Sequence, residues 1–503
     1  MPNDAHPSTV GINQQRLFIG SCLALVATSV AFATVGAIML ALKREFVLTN
    51  EEVGWIGGAA LWGFAITQLI FSPLCDSLGM RLLLRLAFLA HLLGALIMMV
   101  STGFWMLFSG ALVIAMGNGL VEAACNPLVA ALYPDNKTIK LNQFHVWFPG
   151  GIVLGGLAAY GLDAIGITSW QIKLALILIP TTLYGVMLLT QKFPATEGVQ
   201  SGVSMGEMFK ATFTTPLMLL MLLCMAMTAS IELGPNRWVP AVLEAGGIAG
   251  ILVLVWINGL MAAMRYKAGA LVHRLSPTGI LLASALVSGI GLFWLSYAES
   301  GVMAFASATV FALGVCYFWP TMLGFVSERI PKSGALGLGL MGAMGMAVVG
   351  LATAPIMGRI ADQYVHQQLP EARTVSVFQG VEAMFPAAMA MMPEEQRGDV
   401  SKAIEASDAV LQHYTQNQEL PPNQTANALR TVIDSGVASE VVGEASSILG
   451  PADNYGGRIS FRYVVPLSGI LVLIFGLLYL NDRRAGGYKV ERLGADSSKP
   501  AGM

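Results

Sequence analysis

The chain has 503 residues, 55% hydrophobic and only 12% charged, with a formal net charge of −2 and a mean hydropathy of +0.66. So little charge excludes a water-covered surface over a chain of this length, and the near-zero balance excludes an electrostatic nucleic-acid binder. What is left is an all-α integral membrane protein whose apolar segments cross the lipid bilayer.

Apolar windows of about 20 residues place spans at 17–42, 52–75, 82–101, 104–132, 142–165 and 170–190. Six more fall at 216–241, 246–267, 277–297, 300–325, 334–361 and 460–481. The first passes Ala31-Phe32-Ala33, which looks like a signal-peptide cleavage site. The apolar run nevertheless continues to Ala41, long enough to span. The chain then divides into an N-terminal six-helix half, 1–190, a central cytoplasmic linker, 191–215, and a C-terminal six-helix half, 216–362 with 458–482. A polar extracytoplasmic insertion, 363–457, precedes the last span, and a cytoplasmic tail, 483–503, follows it.

Basic residues set the orientation. With the N-terminus inside, Arg81, Arg85, Lys137, Lys140, Lys192, Lys210, Arg265, Lys267, Arg274, Arg329, Lys332, Arg483 and Arg484 fall on the cytoplasmic side. The short outer loops hold Lys43, Arg44 and Lys173, so both termini are expected in the cytoplasm of a cell in whose inner or plasma membrane the chain sits. The halves echo each other, since Arg81 precedes Pro127 by the interval that separates Arg274 from Pro320. Paired six-helix repeats are a standard architecture of secondary transporters. Cys22, Cys75, Cys125, Cys224 and Cys316 lie in or beside apolar runs without metal-ligand spacing; they read as small core residues, and neither metal nor cofactor is expected.

Between the second and third spans lies SPLCDSLGMR, residues 72–81. Asp76 suits a helix start, Gly79 a tight turn, and Arg81 a carboxylate partner. The stretch resembles the loop signature of the major facilitator superfamily, Gly-x-x-x-Asp-x-x-Gly-Arg-Lys/Arg, with Ser72 and Met80 as departures. The resemblance implies a conformational latch, which makes Asp76 and Arg81 gating residues. In the second half RYKAGALVHRLSP is its degenerate counterpart, with Ser276 and Pro277 suited to open the ninth helix.

In GLVEAACNPL, residues 119–128, a carboxylate sits at membrane depth, where it needs a reason. Asn118, Glu122 and Asn126 recur every four residues and form one helical stripe that faces a water-filled cavity or clamps another helix. The fifth span opens LNQFHVWFPGG, in which Asn142 and His145 share a face and the glycines at 150, 151, 155 and 156 permit close packing. The run from Gly117 to Gly156 resembles the fucose–galactose–glucose:proton symporter branch of the superfamily. There a glutamate precedes Ala-Ala-Asn-Pro in the fourth helix, and Leu-Asn opens the fifth. The resemblance implies a proton-coupling role for Glu122, with Asn126, Asn142 and His145 on the substrate side. Proton-coupled members also carry an acid in the first helix. ATSVAFATVGAIML has only Thr28, Ser29 and Thr34, which leaves uniport or another coupling arrangement open.

In the seventh span IELGPNRWVP sets Glu232 and Asn236 four apart, with Arg237 and Trp238 beside them. Glu232 either replaces the missing acid, paired with Arg237 across a bend at Pro235, or caps an outer gate. In the tenth, CYFWPTMLG offers Tyr317 and Trp319 for stacking on a sugar ring; Trp62 and Gln68 are further candidates in the second. Asn258 reads as a packing contact, and Gly334, Gly337, Gly339, Gly342 and Gly345 as a close-packing surface.

The expected protein is an alternating-access carrier of a small polar solute, a sugar, with a proton as coupling partner through Glu122 and no enzymatic activity. Two rivals stand beside it: an organic-anion carrier using Arg237, and a non-transporting receptor that recognises a partner through 363–457.

Overall fold

The computed structural model describes residues 11–46, 48 and 50–493, without the side chains of residues 44, 50, 51, 395, 396 and 423. The Arg44 and Asn423 side chains and tail residues 494–503 therefore lie outside what is described. Among the described residues every regular element is helical. Eleven helices are long and apolar enough to cross a membrane, and a twelfth apolar helix, with 17 residues, is shorter.

Six lie before the linker: α1 (Gln14–Lys43), α2 (Glu52–Leu78), α3 (Met80–Met99), α4 (Phe104–Leu132), α5 (Lys137–Ala164) and α6 (Trp170–Leu188). After it come α7 (Pro216–Ala245), the short α8 (Gly250–Tyr266), α9 (Ala268–Leu295), α10 (Gly301–Arg329) and α11 (Pro331–Gln368). Then follow α12 (Glu371–Met391), α13 (Glu394–Asn417), α14 (Pro422–Asp434) and finally α15 (Glu440–Arg484). The first six form one bundle; α7–α11 and the membrane part of α15 form the second.

Lipid offers no hydrophobic drive between helices, so small residues must let backbones touch. A Cβ added at Gly94 would meet the Gly110 carbonyl oxygen at 2.9 Å, which fixes α3 against α4. The second bundle repeats the device, since Gly291 and Gly314 bring α9 onto α10 with no room for a side chain. Between the bundles, Gly339 and Gly342 of α11 receive Ser72 and Gln68 of α2, as the glycine run in that span leads one to expect. In α5 the expectation holds for two of its four glycines: Gly151 and Gly155 pack on α1, while Gly156 meets open space and Gly150 only grazes Ala262. All five cysteines are free and buried.

One end of the interface, where the linker lies, is closed by polar contacts. Lys137 pairs with Glu197 of the linker at 2.5 Å and donates to the Ser327 carbonyl at 3.1 Å. Glu328 of α10 accepts from the Thr138 amide and hydroxyl of α5 at 2.9 and 2.8 Å, and from the Tyr488 hydroxyl at 2.9 Å. At the other end sit α12–α14, whose Phe378, Phe385, Val400 and Leu429 pack with Ile448 and Leu449 of α15 in a core of their own. The polar insertion thus forms a helical cap, and from Glu440 the chain runs as one helix into the final span.

The third-span loop differs from expectation. Asp76 lies in the last turn of α2, not at a helix start, and accepts from Thr196 of the linker at 2.6 Å. Arg81 reaches the Leu189 carbonyl at 3.0 Å and, among the described residues, no carboxylate. Gly79 does take the positive φ of 80° that the turn needs. Ser276, also at positive φ, marks a kink from which α9 restarts at Pro277.

Candidate functional site

Three of the membrane helices break where a proline follows four residues later: α6 at Leu176–Ile177, before Pro180, and two others whose breaks meet at the centre of the molecule. A proline lacks the N–H that would bind the carbonyl four residues before it. Pro149 thereby strips His145, and α5 is interrupted at His145–Val146; Pro320 strips Cys316, and α10 is interrupted at Cys316–Tyr317. Both freed carbonyls are taken by one side chain. Arg265 of α8 donates from Nη1 to the His145 carbonyl at 3.0 Å and from Nε to the Cys316 carbonyl at 2.5 Å. Its Nη2 binds Glu232 Oε1 at 2.9 Å, and both side chains are at least 95% buried. One guanidinium thus ties α5 of the first bundle to α7 and α10 of the second.

Arg265, expected among the cytoplasmic loop cations, lies instead inside the fold. It is fully buried, because an Arg–carboxylate pair with two further acceptors can satisfy a guanidinium where an unpaired one would be prohibitive. Glu232 likewise finds its partner in Arg265 and not in Arg237, whose position five residues on turns it to another face of α7.

Opposite this pair stands the α4 stripe. Glu122 Oε2 accepts from Asn126 Nδ2 at 2.6 Å, and Asn126 Oδ1 accepts from His145 Nε2 at 3.1 Å. The second hydrogen bond assigns the His145 proton to Nε2 and leaves Nδ1 facing Glu122 Oε1 at 3.9 Å. Glu122, His145, Glu232, Arg265, Phe148 and Trp319 line a common central void of about 20 Å³. That is room for about one water. Among the described residues Glu232 Oε2 and, one turn away, Asn236 Oδ1 are buried without a partner.

Other expected site residues lie elsewhere. Asn118 is a clamp: its Oδ1 accepts from His91 Nε2 at 2.9 Å, and His91 Nδ1 meets the Tyr184 hydroxyl at 3.1 Å. Asn142 turns from the void, donating to the Thr138 carbonyl at 2.9 Å and to Thr321 of α10 at 3.2 Å. Tyr317 spends its hydroxyl on the Met264 carbonyl at 2.8 Å and does not line the void, so of the aromatic pair only Trp319 is placed to stack on a solute. Asn258 donates to the Leu254 carbonyl of its own helix at 2.9 Å.

The sequence matches the profile of the Major Facilitator Superfamily over residues 17–355. The chain belongs to this superfamily. Hexose transporter HXT17 of Saccharomyces cerevisiae is 30% identical over 156 residues, 30% of this chain and 27% of the relative. The chain spans less than a third of the length of the first curated relatives it matches. Among solved structures FucP in its outward conformation gives a TM-score of 0.57 at 17% identity, over 69% of this chain and 92% of that one. A bacterial homologue of the human lysosomal transporter Spinster, inward-facing, gives 0.60 at 14% identity, over 95% of this chain and 98% of that one. These likenesses show the superfamily fold.

Proposed function

We propose that the protein carries a sugar across a membrane by alternating access of its two bundles, with Glu122 exchanging the proton that drives the cycle. The observation that carries this reading is the placement of the Glu122–Asn126–His145 network against the Glu232–Arg265 pair, within the spanning helices and between the bundles. Relatives named as hexose and D-xylose–proton transporters, and the structural likeness to a fucose:proton symporter, support the choice of solute.

A void of about 20 Å³ cannot admit a hexose. Loading therefore requires Arg265 to let go of the His145 carbonyl, which parts α5 from α7 and α10. Hydroxyls of the solute then take up Glu232 Oε2, Asn236 and Asn126, while Trp319 covers the apolar face of the ring. The acid absent from the first span is supplied by Glu232 on α7. Its charge is balanced by Arg265, which leaves Glu122 as the carboxyl free to bind and release a proton. By the basic-residue bias, which survives the loss of Arg265 from the count, the linker end is cytoplasmic and the cap lies outside. The proposed divisions of the chain are those set out from the sequence, with Asp76 holding the linker through Thr196 and Arg81 bracing the end of the first bundle at Leu189.

Solute counterflow in liposomes tests the reading. Purified protein should accumulate one labelled hexose, and Glu122→Gln should keep counterflow while its pH profile becomes flat. No hexose accumulation by folded protein refutes the solute class; an unchanged pH profile in the variant refutes the proton role.

A further inference from the structure

About one helical turn beyond the central network, toward the cap, a second cavity of about 140 Å³ opens between the bundles. Its walls come from α1, α2 and α4, with Phe32, Val35, Ile56 and Ala115 typical of them, and they are almost wholly apolar. Two polar residues face it. Asn118 keeps an amide N–H₂ without a partner among the described residues once its oxygen is given to His91. Arg237, reaching over from α7, has an exposed side chain and no hydrogen bond or ion pair among the described residues. No carboxylate lines the cavity.

The Arg237 guanidinium opens onto a cavity walled mostly by hydrocarbon that holds no carboxylate, so an anion entering there gains a charge partner. The walls narrow the class further. A polyol entering here would leave its hydroxyls without partners, whereas an apolar body gains from the same walls and a carboxylate matches the planar fork of arginine. We propose that this cavity is a binding site for a small monocarboxylate with a compact apolar body, its carboxylate held by Arg237 and Asn118. Because the walls belong to the first bundle and the guanidinium to the second, the ligand joins the bundles on the cap side. The site is separate from the central one, and its occupation slows the opening on which loading depends.

The test uses the full-length protein in detergent, with benzoate as probe and benzamide as its uncharged isostere, read by calorimetric titration. Wild type should favour benzoate by about ten- to a hundredfold, the worth of a charge-assisted hydrogen-bond pair. Arg237→Gln should abolish the preference and Arg237→Lys should keep part of it. Gly36→Leu, at a position where an added Cβ meets nothing, projects a side chain into the cavity with the guanidinium untouched and should weaken both probes together. Equal binding of the two probes by wild type, or a preference that survives Arg237→Gln, overturns the site. In liposomes benzoate should slow hexose counterflow in wild type and not in Arg237→Gln. Counterflow of benzoate itself, with no hexose carried, would uphold the carboxylate site and overturn the sugar reading of the central one.

Discussion

Arg265 is held by three groups, and two of them are carbonyls whose N–H partner four residues on is replaced by proline. The buried pair it forms with Glu232 has a stability consequence. Arg265→Met strands a carboxylate in the membrane and should cost about 3–5 kcal/mol, whereas Glu232→Gln with Arg265→Met should recover most of it. Thermal unfolding of the detergent-purified variants checks the pair, and an additive double mutant would refute the coupling. The two aromatics of α10 separate as cleanly. Trp319→Ala should weaken hexose affinity about tenfold. Tyr317→Phe, which removes only a bond to the Met264 carbonyl, should leave affinity unchanged in the same binding assay. The Glu122–Asn126–His145 network was legible because spacing by four puts Glu122 and Asn126 on one stripe, and a carboxylate in an apolar run must be satisfied. Arg265 was not. It stands beside Lys267 at a span's end, where arginine ordinarily snorkels. The signal that would have found it is the pair of prolines, Pro149 and Pro320, whose missing N–H groups leave two buried acceptors in search of a donor.

At the scale of the helix, apolar windows locate the spans but not their interruptions or extensions. Hydropathy runs smoothly through His145 and Cys316, so a break that comes from one missing hydrogen bond leaves no trace in a window average. Conversely, α15 was read as beginning near 460 and begins at Glu440, because its first five turns pack on the cap and keep a polar face that hydropathy discards. The tail was likewise opaque, since it docks through side chains scattered over three elements. Tyr488 is half-buried against Glu328, and desolvation together with that carboxylate pushes its hydroxyl well above the ordinary 10.0. With the folded value the higher, the bound proton supports docking at every pH below about 10 and is lost only as pH rises through the raised value. Tryptic cleavage after Arg484 should therefore be equally slow throughout the neutral range, and Tyr488→Phe should accelerate it.

Over the whole molecule the bundles are joined firmly at the linker end, whereas at the cap end Lys43 of α1 meets Asp434 of α14 at 3.7 Å in an exposed pair of little energetic weight. The cap therefore moves with the second bundle. A short bifunctional thiol crosslinker between Lys43→Cys and Asp434→Cys should stop counterflow, and linear analogues reacting with either single variant should not. Continued counterflow in the crosslinked protein would show that this gap does not open. α15 has 45 residues and so is about 68 Å long, one rod with its head in the cap and its foot beside Tyr488 and Arg492 at the opposite face. Such a rod acts as a lever. A load on the cap that tilts the head by a few degrees swings the foot across the seam that Arg492 and Asp135 clasp, so an event on one side of the bilayer is legible on the other even when no solute moves.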